Sequence, residues 1–184
     1  MIASLLTSAG LGIGAGINAY ATLLVYGLLA RYAQWHGDLA DFFSSTPVLI
    51  VVGLLYCVEF IADKVPAVDH VWDVIHTFVR PAAGAVVAWA AVSDKVPQGM
   101  VILAAALGGG AALGAHAAKA TIRAASTAAT GGIANPILSL FEDVFAFATA
   151  IIAVLLPWLV IAVIVAVTFF FVTLYRRVRP KLGT

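Results

Sequence analysis

Acidic and basic side chains are absent over four long stretches, Met1–Ala30, Val48–Val58, Met100–Ala115 and Val144–Tyr175. Such runs predict membrane spans, because a helix needs about 20 apolar residues to cross a hydrocarbon core. Breakers divide the runs into helices. The first is predicted over Thr7–Ala33, followed by a polar connection from Gly37 and Asp38 through Ser45. Pro47 opens the second, since a proline in the first turn gives up no helical hydrogen bond; this helix ends at Lys64, before Val65-Pro66. The third is predicted over Asp69–Val92, with a kink at Pro81. The fourth covers Gln98–Ala125 and the turn Ser126–Gly132 closes it. A fifth starts at Asn135-Pro136 and a sixth near Pro157. As a single helix, Val144–Tyr175 would be roughly 50 Å long at 1.5 Å per residue. A hinge at Pro157 is therefore expected, the fallback being a re-entrant half-helix over Asn135–Phe145 followed by one long helix.

The expected fold is all-α, a polytopic membrane protein of about six transmembrane helices in a single membrane domain, 1–184. An even count places Lys64, Lys119, Arg123 and the tail (Arg176, Arg177, Arg179, Lys181) at inner ends. Arg31 and Lys95 then lie at outer ends, which follows the positive-inside rule. Both termini are thus expected on the cytoplasmic side of the membrane. A faint echo links Gly10–Ala19 with Gly108–Ala117, matching Gly10, Gly12, Gly16 and Ala19 to Gly108, Gly110, Gly114 and Ala117. Two inverted three-helix halves, 1–97 and 98–184, would produce it, as in many transporters. So would the small residues of any helix-packing face.

Composition agrees with the pattern. Hydrophobic residues make up 63% and charged residues 10%, against about 25% charged in soluble domains. With net charge +1 and no basic patch interleaved with aromatics, nucleic acid is not an expected partner. Membrane lipids are, together with a small solute or ion of unknown identity, and a homo-oligomer is compatible with the apolar faces. No cofactor is implied. A single cysteine, Cys57, excludes an internal disulfide and reads as a small buried side chain.

The charges that remain are concentrated. Glu59–Pro81 carries Glu59, Asp63, Lys64, Asp69, His70, Asp73, His76 and Arg80. Ionisable groups at membrane depth cost several kcal/mol unless paired or wet, so they mark a functional centre or a pairing device. Asp69, Asp73, His76 and Arg80, spaced 4, 3 and 4, share one helical face. Three readings stay open: a stripe in which Arg80 bonds a carboxylate such as Glu59 or Glu142, a wet solute path, and a divalent metal held by Asp69, Asp73 and His76. His116, Lys119 and Arg123 form a basic face, of which Lys119 and Arg123 can also snorkel. Glu142 and Asp143 follow the helix start at Asn135 by two turns. They point about 100° apart, so only one is expected squarely in the centre, and Glu142 is favoured because Asn135 and Ser139 lie on its side. Asn18 and Thr22 sit one turn apart beside a Gly12, Gly16, Ala19 seam, as packing glue or as a lining amide. No hydrolase or phosphate-cradling motif is present, so no enzyme is expected.

Three segments carry a resemblance: GxNAYxTLL (Gly16–Leu24), EFIADKVPxxDHxWDxIHTFVRPxAG (Glu59–Gly84) and NPxxSxxED (Asn135–Asp143). They resemble the bacterial membrane family known as domain of unknown function 4126. The resemblance implies a compact multi-span membrane protein and brings no established activity or catalytic residue.

Overall fold

A computed structural model describes residues 1–178, which are helical throughout apart from short connections. The elements are α1 (Ile2–Ile17), α2 (Ala19–Tyr32), α3 (Asp38–Ser44), α4 (Thr46–Ala62), α5 (Pro66–Val92), α6 (Gln98–Thr130), α7 (Asn135–Leu155) and α8 (Leu159–Val178). The protein is an all-helical membrane protein. The stretches Val71–Val92, Gln98–Thr130 and Asn135–Leu155 are each long and apolar enough to cross a bilayer. The pair α3 and α4, bent by 62°, makes a fourth candidate, and α1 is a shorter apolar helix. Among the described residues, the expected count of six is therefore not reached by length and composition.

The largest departure from expectation is in the first predicted helix. Thr7–Ala33 is not one helix but two, broken at Asn18, whose backbone is extended (φ −144°, ψ 106°). A continuous helix would hold Gly14 and Thr22 about 12 Å apart along its axis. Here a Cβ on Gly14 would lie 2.8 Å from Thr22 Oγ1, so the chain folds back. Past α2, Gly37 meets Asp94 at the C-terminal end of α5, and Lys95 lies over the Trp35 ring. The helices α1 and α2 thus form a hairpin with its tip at Asn18 and both outer ends at one end of the molecule.

Small residues fix the remaining directions. Gly12 packs on the Gly108 backbone and Gly16 on that of Ala112, so α1 and α6 run side by side in the same direction. Inverted halves would make these two helices antiparallel. The glycine echo is instead a packing seam in which the matched segments face each other, and the repeat is not supported. Gly84 meets Gly108 and Ala112, which sets α5 antiparallel to α6. Gly10 meets Ala153 while Gly14 meets Ala146, which sets α7 antiparallel to α1. The chain turns at Leu156–Trp158, as expected near Pro157, and Val160 returns to Gly10. Helix α8 then ascends beside α7, so that Phe170 shares a groove with Ile17 and Ile122.

It follows that Met1 and Val178 lie at opposite ends of the described helices, whereas an even helix count places both termini on one face. The physical reason is the extra reversal at Asn18. The expected grouping of basic residues survives: Lys64 and Arg176 sit at one end, Arg31 and Lys95 at the other. The end carrying Arg31, Trp35 and Asp94 is called the lower end below, and that carrying Lys64 and Gly131 the upper end.

Several boundaries shift for local reasons. α5 begins at Pro66 rather than Asp69, because Val65 adopts the extended geometry that a following proline favours. It continues as one helix through Pro81. α6 runs to Thr130 rather than Ala125 and is closed by Gly131 in the left-handed conformation (φ +64°) that glycine adopts without strain. Cys57 is exposed, not buried, and belongs to an outward apolar face of α4 with Leu54, Val58 and Ile61. Between the hairpin tip and the lower end, the interior is apolar: Leu11, Val25, Tyr26, Phe43, Val87, Val92, Ala104, Ala150 and Val160 form one core.

Candidate functional site

Above that core the interior is charged. Its floor is the hairpin tip, where one residue performs both helix caps. Asn18 N–H donates to Gly14 O (2.9 Å), closing α1. Its side-chain oxygen accepts from Ala21 N–H (2.9 Å), opening α2 in the manner of an N-cap. Its amide Nδ2 is left to donate to Asp143 Oδ1 at 2.9 Å. Ile17 O, one of the carbonyls orphaned at the end of α1, accepts from Lys119 Nζ at 3.2 Å. A cation at the negative end of a helix and a carboxylate beside a helix start are both favourable placements.

The charges fall into three linked groups. In the first, Arg80, fully buried, donates to Glu59 Oε1 (3.0 Å) and to Asp73 Oδ1 (3.3 Å), and bonds His116 Nδ1 (2.6 Å). The expected carboxylate partner of Arg80 is thus Glu59, from the helix before it. His76 bonds Trp72 O through Nδ1 (2.8 Å) and faces Glu59 Oε1 across 3.9 Å. Tyr20 meets the His76 ring edge-on, with centroids 5.6 Å apart, and Thr77 bonds His116 Nε2 (3.1 Å).

In the second group, Asp63 accepts from Lys119 (2.9 Å) and Arg123 (3.2 Å). Glu142 accepts from Arg123 (2.6 Å) and stands 3.4 Å from Lys119. Lys119 and Arg123 are both buried, so neither snorkels. In the third, Asp143 faces Lys64 Nζ at 3.7 Å, and that ammonium donates to Ser139 Oγ (3.3 Å) and Phe60 O (2.9 Å).

Most of the expected site residues therefore meet: Asn18, Glu59, Asp63, Asp73, His76, Arg80, His116, Lys119, Glu142 and Asp143. Asn135 is buried at the upper end and bonds Thr127 Oγ1 (2.9 Å), at the margin of the centre. The side chain of Asp69 lies outside what the structure describes. The expectation that one of the two α7 carboxylates would enter, and that it would be Glu142, is corrected. Their angular separation sends Glu142 to α6 and Asp143 to the hairpin tip, and Asn135, Ser139 and Asp143 are the buried row at i, i+4, i+8. The metal reading gains nothing: Asp73 is turned to Arg80, and no group of three His, Cys, Asp or Glu able to hold a metal occurs among the described residues.

Sequence reasoning left Lys64, Arg123 and Tyr20 outside the site. Lys64 read as a span terminator, although one helical turn separates it from Phe60. Arg123 was one turn beyond Lys119 on the face already chosen. Tyr20 carried no signal, since its role depends on the break two residues earlier.

Within the centre, Glu59 Oε2, Asp63 Oδ1, His76 Nε2, Arg80 Nε and Asp143 Oδ2 are buried without a hydrogen-bond partner among the described residues. The more accessible side chains are Lys64 (24%), Asp73 (20%) and Glu142 (15%), against 0% for Glu59 and Arg80. The charged centre is thus buried deepest around Glu59 and Arg80.

A family model described as Domain of unknown function (DUF4126) matches residues 5–177, so the chain belongs to that family. No curated protein matches, and no solved structure matches.

Proposed function

We propose that this family member is a carrier that binds a small polar solute or ion in the charged centre and moves it across the membrane. One observation carries the reading: a helix broken at Asn18 ends against charges buried inside the helix bundle. Broken helices whose ends face a polar site are how many transporters hold their substrates, and irregular backbone inside a membrane protein is tolerated where protein or a cavity satisfies it. The unpartnered buried atoms of Glu59, Asp63, His76, Arg80 and Asp143 add donors and acceptors beyond those the pairing consumes. The apolar core beneath the tip favours a carrier over an open pore. The basic residues at the upper end support a reading in which that end, with the start of the tail, faces the cytoplasm across a bacterial inner membrane.

A second reading, a non-transporting scaffold, draws on the same ion pairs: Arg80, Lys119 and Arg123 each have carboxylate partners. Flux of a panel of small cations, anions and zwitterions into proteoliposomes separates the two. The carrier reading expects saturable uptake of at least one class that falls in Glu59→Gln. Uptake indistinguishable from empty liposomes for every class would favour the scaffold.

A further inference from the structure

We infer that the part of the centre between Lys64 and the hairpin tip is a binding site for a small primary-ammonium cation, filled here by the chain's own Lys64. The inference rests on the carrier reading for its purpose, but the site is argued from its geometry alone. Lys64 differs from the other three cations of the centre. It follows the end of α4 instead of lying within a helix, and its side chain is 24% exposed, against 0–4% for Arg80, Lys119 and Arg123. It reaches in from the chain's turn as a tethered ammonium.

The ammonium occupies a built receptor. Phe60 O (2.9 Å) and Ser139 Oγ (3.3 Å) accept its protons, and the Phe60 ring centroid lies 3.2 Å away. Asp143 is buried, with Oδ1 fixed by Asn18. Its other oxygen, Oδ2, is buried without a hydrogen-bond partner among the described residues and stands 3.7 Å from Lys64 Nζ. A charge-assisted N–H···O bond closes to about 2.7–2.9 Å. The lysine is therefore an imperfect fit, and an untethered ammonium could approach Oδ2 more closely. One carbonyl, one hydroxyl, one carboxylate oxygen and an aromatic face match the three donors and compact charge of R–NH3⁺. A planar guanidinium does not match this arrangement.

Charge couples the two occupants. Five carboxylates (Glu59, Asp63, Asp73, Glu142, Asp143) share the described centre with Lys64, Arg80, Lys119 and Arg123. When Lys64 withdraws, the buried Asp143 loses its nearest cation, which is costly. Entry of a solute ammonium and withdrawal of Lys64 are then two halves of one exchange.

Methylammonium is the probe. In detergent, Lys64→Met should bind it saturably with one site per chain, wild type roughly tenfold more weakly because Lys64 occupies the site, and Lys64→Met with Asp143→Asn not at all. Should Lys64→Met be unstable, methylammonium should restore its fold, as Asp143→Asn should. In wild type, methylammonium should shift the Lys64 side-chain NMR signal saturably, and sodium at equal ionic strength should not. The proposal is overturned by an unmoved Lys64 signal, by equal binding with and without Asp143, by equal response to potassium, or by a variant that Asp143→Asn rescues and methylammonium does not. Methylammonium binding without flux of any solute would keep this site and end the carrier reading. Flux of other solutes without methylammonium binding would do the reverse.

Discussion

Arg80 lies at the middle of α5 with no exposed surface, and its guanidinium is divided among Glu59, Asp73 and His116. Removing one side of such a pair leaves the other charge buried, which costs about 3–5 kcal/mol, whereas removing both is milder. Arg80→Met should therefore lower the stability of the folded protein by roughly that amount, and Arg80→Met with Glu59→Gln should recover part of it. Chemical denaturation in detergent reads both. Equal melting of Arg80→Met and wild type would show that Arg80 is not committed to Glu59. The pairing was legible in the sequence because a lone arginine among apolar residues demands a carboxylate within reach. The choice between Glu142 and Asp143 was not, since it depends on the rotation of α7 against α1, set by the contact of Gly14 with Ala146.

At the scale of elements, the hairpin depends on Asn18 and on the glycines that let α1 approach α6. Asn18→Ala removes the cap of α2 and the amide that bonds Asp143. Loss of an N-cap costs about 1 kcal/mol, and leaving a buried carboxylate oxygen without its donor adds about 1–3 kcal/mol. The combined loss in unfolding free energy should exceed that of Thr22→Val, which keeps the side-chain shape and removes the hydroxyl bond to Asn18 O. A smaller loss for Asn18→Ala would contradict the capping role. Gly16→Val would drive a side chain into the Ala112 backbone, and Gly110→Val meets nothing within 4 Å. The first should destabilise by roughly 1–3 kcal/mol or misfold, as overpacking does; the second should stay near neutral, and melting temperatures compare them. The break was hidden in the sequence because Thr7–Ala33 contains no proline and one helix satisfies its hydropathy. The only trace is Asn18 beside Gly16, with Thr22 one turn on, a combination that a helix interior also tolerates.

For the whole molecule, helix count and terminal sidedness depend on that break. The apolar runs, the turn near Pro157 and the grouping of basic residues were readable from composition. The fold-back was not, because it is decided by tertiary partners distant in sequence: Asp143 for the Asn18 amide and Lys119 for Ile17 O. In this fold the first 32 residues enter and leave by one face, carrying Asn18 to the buried charges. Side-specific thiol labelling in oriented membranes tests it most directly. In a Cys57→Ala background, single cysteines at Ile2, Gln34 and Arg176 are reacted with an impermeant reagent from each side. Ile2→Cys and Gln34→Cys should label from the same face and Arg176→Cys from the other. Labelling of Ile2→Cys and Gln34→Cys from opposite faces would restore a single spanning helix and overturn the hairpin.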